Sequence, residues 1–290
     1  MQPSLTGELL KAVSRSFYLT ISWLPREMQP GVVVAYLLAR ATDSVADTAA
    51  APVYRRVEAL KKMQAAIEGE CADMPELMHE LRCRMDAENA AETELLSRFD
   101  EAVAALAELP EEQMSLVRRV LEVIIQGQLW DLTFFEEHTE VLSDEQTRLY
   151  TYRVAGCVGR FWTQLGLVAL GDRFCDTEKA DVMEEAGVRY GCGLQLVNIL
   201  RDREEDARRG RAYLCSDAAV WFDRAERYLQ DGLDYSRRLR MRKLRFATML
   251  PALLGLKTLK ALRHAKQGRR VKISRRAVYA SMLRAFFAAF

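Results

Sequence analysis

The sequence predicts an all-helical protein, and three observations carry that expectation. Its long segments are rich in Ala, Leu, Glu and Arg, which lose little on entering a helix, and few runs are β-branched. Proline is sparse, and none falls between Pro110 and Pro251. Apolar residues recur at helical rather than alternating spacing. Half of the 290 residues are hydrophobic, enough for one large core. No linker, repeat or low-complexity tract divides the chain, so one domain over 1–290 is expected.

Residues 5–23 hold Ser14-Arg15-Ser16-Phe17-Tyr18, near a helix start or in a short break between helices. Pro25 and Pro30-Gly31 punctuate the chain, and a helix is expected over 32–48. On it, Tyr36, Arg40, Asp43 and Asp47 form one stripe, polar where a core stripe would be apolar. Val34, Leu38 and Ala41 must then pack elsewhere, which predicts a helix buried most of the way round. Pro52 suggests a loop, and 53–68 and 76–108 read as amphipathic surface helices. Pro110-Glu111-Glu112 opens a further helix that reaches 126–132. Ser143 with Gln146 resembles a capping box, opening the helix that carries Tyr150 to Gly159.

Gly156 and Gly159 leave a bare helix face, as do Gly187, Gly191 and Gly193. Such a face serves either close helix packing or space for a bulky apolar ligand. Gln195, Asn198, Asp202 and Asp206 then form a stripe matching the first acidic one, and Arg208-Arg209-Gly210-Arg211 ends that helix. The tail reads as helices over 217–245, 246–266 and 274–288, broken at Gln267-Gly268.

The six cysteines form no C-x-x-C pair and the three histidines are scattered, so a zinc site is not indicated. Reduced thiols filling core gaps are expected. The N-terminus lacks the plan of a secretory signal, and no uncharged run approaches the ~20 residues needed to span a bilayer. The net charge of +1 hides an asymmetry. After Asp234 there are 16 Lys or Arg and no Asp or Glu, which leaves about −15 on 1–234. That basic region, 235–290, suits a solvated face, anionic substrates or peripheral contact with anionic lipid. Nucleic-acid binding is not indicated, since no groove-reading or aromatic-interleaved motif accompanies the charge.

The two acidic pentapeptides carry the chemistry. Asp43-Ser44-Val45-Ala46-Asp47 and Asp202-Arg203-Glu204-Glu205-Asp206 each put two carboxylates on one helix face. Four aspartates around one cavity would repel each other without cations, and Mg²⁺ commonly bridges carboxylates to phosphates. Arg15, Arg40, Arg201 and Arg211 could contact a diphosphate. Phe17, Tyr18, Tyr36, Tyr150, Tyr152, Phe161 and Trp162 could shelter a carbocation, although core packing explains any one of them alone.

With these landmarks in order from 14 to 214, and with Gly210-Arg211-x-Tyr213-Leu214 closing the set, the chain resembles the squalene/phytoene synthase family, most closely its bacterial squalene-forming branch. The resemblance implies a single all-α isoprenoid-synthase domain, a helical bundle around a central cavity. It also implies head-to-head condensation of two prenyl diphosphates through a cyclopropyl intermediate, presqualene diphosphate when the substrate is farnesyl diphosphate. Asp43, Asp47, Asp202 and Asp206, with Asn198 beside them, match metal-binding positions. Tyr150 matches a tyrosine that assists ionisation or proton removal. Ser14 belongs to the substrate-side motif Ser14-Arg15-Ser16-Phe17. Arg15, Arg40, Arg201 and Arg211 match diphosphate contacts, and Tyr36, Phe17, Val154, Val158 and Gln195 match substrate-side positions.

Squalene formation with Mg²⁺ and NADPH is the first expectation. Dehydrosqualene, phytoene, presqualene diphosphate or hydroxysqualene are the alternative products. One departure weighs against reduction. Ala247 stands four residues before Pro251 where the family's reductive enzymes carry Phe, and Phe246 is displaced by one. The resemblance further implies a cytoplasmic enzyme, peripheral on the membrane through 235–290. A reading from another class is a non-catalytic helical adaptor on anionic membranes.

Overall fold

The computed structural model describes residues 5–14, 17–70, 74–85, 90–215, 217–265, 271 and 273–289. Among them there is no β-strand, as the composition predicts. The contacts divide the chain into two compact units, Met1–Glu136 and Glu137–Phe290.

The first unit begins with a π-turn at Leu5–Leu9, α1 at Leu10–Ser14 and α2 at Phe17–Ser22. Then follow α3 (Gln29–Asp47), α4 (Val53–Glu68), α5 (Pro75–Cys83), α6 (Ala90–Ser97), α7 (Phe99–Ala107) and α8 (Glu111–Glu137). The central element is α3, which packs against α1, α2, α4, α6 and α7. Val32, Val33, Val34, Leu37, Leu38, Ala41 and Val45 are all buried, so the helix is enclosed on all but its polar stripe. Two arginines close helix ends here. Arg56 of α4 donates to the Ala46 carbonyl of α3 at 2.8 Å, and Arg118 of α8 donates to the Ile67 carbonyl of α4 at 2.9 Å. Each cation meets the negative end of a helix, a placement that contributes about 0.3–1 kcal/mol. The expected single helix region over 76–108 is three helices. The break between α6 and α7 falls at Arg98, whose φ of −114° leaves the helical range while its guanidinium grips Glu101 through two bonds, at 2.7 and 3.1 Å.

The second unit holds α9 (Asp144–Thr151), a π-turn at Tyr152–Gly156, α10 (Cys157–Leu170), 3₁₀ turns at Gly171–Arg173 and Thr177–Lys179, then α11 (Ala180–Arg208), α12 (Ala218–Arg238), α13 (Arg242–Arg263) and α14 (Arg275–Ala289). The Ser143 capping box is present: the Ser143 amide donates to Gln146 Oε1 at 2.8 Å and the Gln146 amide to Ser143 Oγ at 3.2 Å. The long helix α11 is central and packs against the π-turn, α10, α12 and α13.

The glycines decide how close those helices come. A Cβ on Gly159 would lie 1.9 Å from the Gly187 carbonyl oxygen, and one on Gly191 would lie 2.2 Å from that of Ala155. Of the two uses the sequence allowed, close packing is the one these positions serve. The tail break falls at Leu239–Met241 rather than near 245. Leu239 is extended and fully buried, and the Arg240 amide donates to the Phe174 carbonyl at 2.8 Å, which turns the chain there. Pro251 sits inside α13, and the Tyr190 hydroxyl donates to the nearby Thr248 carbonyl at 2.6 Å.

Cys157, Cys175 and Cys192 are buried, as expected of core fillers, whereas Cys83 and Cys215 are exposed. Burial pushes the Cys157 thiol up to about 12 and the Cys192 thiol up to about 11, so neither is a nucleophile. One described helical stretch, Asp144–Arg173, is long and apolar enough by composition to cross a membrane. Its Phe161, Leu165 and Leu170 are buried within the fold, while Val158 and Val168 are exposed.

Candidate functional site

The first acidic stripe lies on the last three turns of α3. Leu37, Leu38, Ala41 and Val45 hold the helix in the core, which turns Tyr36, Arg40, Asp43 and Asp47 to the accessible side. Arg40 is the hub. Its Nη1 donates to Asp43 Oδ2 at 2.7 Å, and its Nη2 to Glu92 of α6. Glu92 also accepts from Ser44 Oγ at 3.0 Å, and that hydroxyl bonds the Arg40 carbonyl at 2.9 Å. Among the described residues the buried Arg40 Nε–H has no partner. Salt-bridged to both acids, the guanidinium is held above its ordinary range, although burial opposes this most strongly.

Asp43 behaves differently. Burial first, then the charges of Asp47 and Glu92, push its carboxyl up to about 7, against the opposing pull of Arg40. Its side chain nevertheless remains 45% accessible. The arrangement is an acid group with less positive charge than it needs. No three His, Cys, Asp or Glu among the described residues form a ready-made metal group. Even so, an all-oxygen donor set whose Asp43 carboxyl is raised by burial and then by neighbouring acids fits a hard divalent cation.

Tyr36 and Ser14 serve the frame. The Tyr36 hydroxyl donates to the Val13 carbonyl at 3.1 Å and ties α3 to α1, while Ser14 Oγ bonds back to the Leu10 carbonyl at 2.5 Å. Arg15 lies outside the described residues. Phe17 opens α2, and its side chain is outside them too.

The second acidic stripe occupies the end of α11, in the other unit. Arg201 forks onto its neighbour Asp202, Nε to Oδ1 at 2.9 Å and Nη2 to Oδ2 at 2.5 Å. That bond, with the charge of Asp206 added, raises the Arg201 guanidinium. Asn198 is exposed and donates to Gln195 Oε1 at 3.4 Å, one turn before the aspartates. The helix ends at Gly210, whose φ of +75° lets the Arg211 amide reach back to the Asp206 carbonyl at 2.8 Å. The strap that follows is pinned to α9: the Leu142 amide donates to the Ala212 carbonyl at 2.9 Å, and Thr147 Oγ1 to the Tyr213 carbonyl at 2.5 Å. This brings Tyr213 onto Tyr150, the rings stacked 4.9 Å apart at 19°.

Val154 lies in the π-turn, half-buried. Val158 follows on α10 and is 40% exposed, an apolar side chain left open beside the small-residue packing. Single-turn π insertions are frequent at functional sites because they re-aim the side chains around them.

Sequence reasoning missed Glu92. Its only signal is an acid set among Ala and Leu, in Ala90-Ala91-Glu92, on a helix not otherwise marked. It also missed the stacking of Tyr213, although that residue was part of the closing motif.

A profile described as squalene/phytoene synthase matches residues 10–219, a span that holds both acidic motifs and runs across both units. The bifunctional lycopene cyclase/phytoene synthase of Pyrenophora tritici-repentis is 30% identical over 220 residues, covering 74% of this chain and 35% of that protein. The squalene synthase of Cyberlindnera jadinii is 30% identical over 215 residues, 71% of this chain and 44% of that one. The chain therefore spans less than half the length of these curated relatives. The solved structure of TcSQS with a ligand shares the all-helical fold, with a TM-score of 0.77 at 23% identity, covering 99% of this chain and 87% of that one. The chain belongs to the squalene/phytoene synthase family.

Proposed function

We propose that the protein condenses two prenyl diphosphates head to head, with farnesyl diphosphate as substrate, presqualene diphosphate as intermediate and squalene as product. The observation that carries this reading is the Arg40–Asp43–Glu92 group: an acid set that lacks positive charge, beside an arginine already aimed at it. The repetition of aspartate and arginine at Arg201–Asp202 supports it.

Mg²⁺, held by Asp43 and Asp47 and by Asp202 and Asp206 with Asn198 beside them, would neutralise diphosphate charge and make it a better leaving group. Arg40 and Arg201 would supply guanidinium donors to phosphate oxygens, with Arg15 and Arg211 as further contacts. Tyr150, fixed by its stack on Tyr213, would present its hydroxyl to the reacting end. Val154, Val158, Gln195 and Phe17 would line the substrate side and keep water away from the cation, with Tyr36 and Ser14 holding the frame.

NADPH would supply the hydride that ends the sequence at squalene. A second reading, favoured by Ala247 where reductive relatives carry Phe, stops without reduction at dehydrosqualene, phytoene, presqualene diphosphate or hydroxysqualene. We assign the enzyme to the cytoplasm. Incubation with farnesyl or geranylgeranyl diphosphate and Mg²⁺, with and without NADPH, separates these outcomes. Squalene formed only with NADPH supports the first reading, and the same product either way sinks it in favour of the second.

A further inference from the structure

We infer that Glu92, which belongs to neither acidic pentapeptide, is a positioning residue: building on the reading of Arg40 as a diphosphate contact, it anchors that arginine and sets where a phosphate oxygen meets it. Arg40 divides its guanidinium between two acids, and the two are not equivalent. Its Nη1 donates to Asp43 Oδ2 at 2.7 Å, and Asp43 keeps 45% of its side chain accessible. Its Nη2 donates to Glu92, whose side chain is only 14% accessible. The other Glu92 oxygen lies 3.0 Å from Ser44 Oγ, and that buried hydroxyl lies 2.9 Å from the Arg40 carbonyl oxygen, so its one proton serves both. The contacts close a ring: Arg40 side chain, Glu92, Ser44, Arg40 main chain.

The placement of Glu92 comes from α6. Leu95 and Leu96 follow it by three and four residues and are both buried, so the acid shares their helix face. The helix packs against α1, α3, α5 and α7, which leaves it little freedom to withdraw its carboxylate. An ion pair enclosed by protein is screened less than an open one, and losing one partner leaves a charge with no compensation. The Asp43 contact is therefore the one an incoming anion can compete for, and the Glu92 contact is the one that lasts. A guanidinium is a rigid planar fork, so fixing Nη2 on Glu92 also fixes the direction in which Nη1 points. A merely structural ion pair would tie α6 to α3 as well, but it would leave the aim of Nη1 without consequence.

The test compares the full chain with Glu92→Gln, which keeps the shape and removes the charge, and with Ser44→Ala, which opens the ring. Two readouts are taken with Mg²⁺ present: calorimetric affinity for inorganic diphosphate, and steady-state turnover of farnesyl diphosphate. In Glu92→Gln, kcat is expected to fall about tenfold or more while KM changes less than about threefold, and diphosphate affinity to fall about tenfold. Ser44→Ala should move kcat and diphosphate affinity the same way by about threefold. Both variants are measured where circular dichroism shows native helix content, and if Glu92→Gln does not fold, Ser44→Ala carries the same readouts. A folded Glu92→Gln protein that melts earlier but keeps wild-type kcat, KM and diphosphate affinity would overturn the inference alone. If the wild type makes no head-to-head product, the proposed reaction fails, and a diphosphate affinity that still drops in Glu92→Gln supports the inference independently. A wild type that binds no diphosphate overturns both.

Discussion

At the scale of single residues, Arg40 is held by two acids with different tasks. Glu92 is largely buried and accepts from both Arg40 and Ser44, while Asp43 keeps 45% of its side chain accessible. Replacing Glu92 with Gln keeps the shape but leaves the half-buried guanidinium one charge short. We expect thermal denaturation to report a loss of about 1–2 kcal/mol, and turnover to fall through kcat more than KM, because the arginine loses its aim. Asp43 gives a pH signature. Its carboxyl rises from an ordinary 3.8 to about 7 on folding, so between those values the native state holds a proton that the unfolded chain releases. Stability of the metal-free protein should therefore fall as pH rises through that window. Asp43→Asn should flatten that dependence, raise the metal-free Tm at pH 8 and abolish any further rise on adding Mg²⁺. A Tm at pH 8 that drops in this variant would contradict the account. The stripe of Tyr36, Arg40, Asp43 and Asp47 was legible because helical spacing alone aligns it. Glu92 was not, because it comes from another helix and only the packing of α6 on α3 brings it to Arg40.

At the scale of elements, the second unit depends on α11 lying almost backbone to backbone on the π-turn and α10. Gly159→Ala would force a methyl group to within 1.9 Å of a carbonyl oxygen, with no flexible side chain to yield. A loss of about 3 kcal/mol or more is expected, enough to leave much of the protein unfolded at 37 °C. Gly7→Ala, with nothing within 4 Å of the added carbon, serves as the control and should change stability by less than about 1 kcal/mol. Denaturant melts of the two variants check both expectations. Helix positions were largely legible, and the Ser143 capping box was legible to the residue, since each rests on local chemistry. The breaks at Arg98 and Leu239 were not. The first depends on a fork to Glu101, the second on a buried leucine and a carbonyl from residue 174, which no local pattern encodes.

At the scale of the whole molecule, the chain joins an acidic body to a basic end, and each half has its own candidate task. The acidic stripes suit metal and diphosphate, while the basic end carries a helix whose outward face is apolar. The family was legible from motif order, because the paired-aspartate spacing, the Tyr-containing helix and the closing Gly-Arg strap are each short and local. The product was not, because every outcome under consideration is proposed to use the same four aspartates. The most direct measurement of the central claim is product analysis after incubation of wild-type, Asp43→Asn and Asp202→Asn proteins with farnesyl diphosphate and Mg²⁺. The account predicts a head-to-head C30 product from wild type and a loss of about 100-fold or more in each folded variant. Undiminished turnover in either variant, or no consumption of any prenyl diphosphate by wild type, would contradict it.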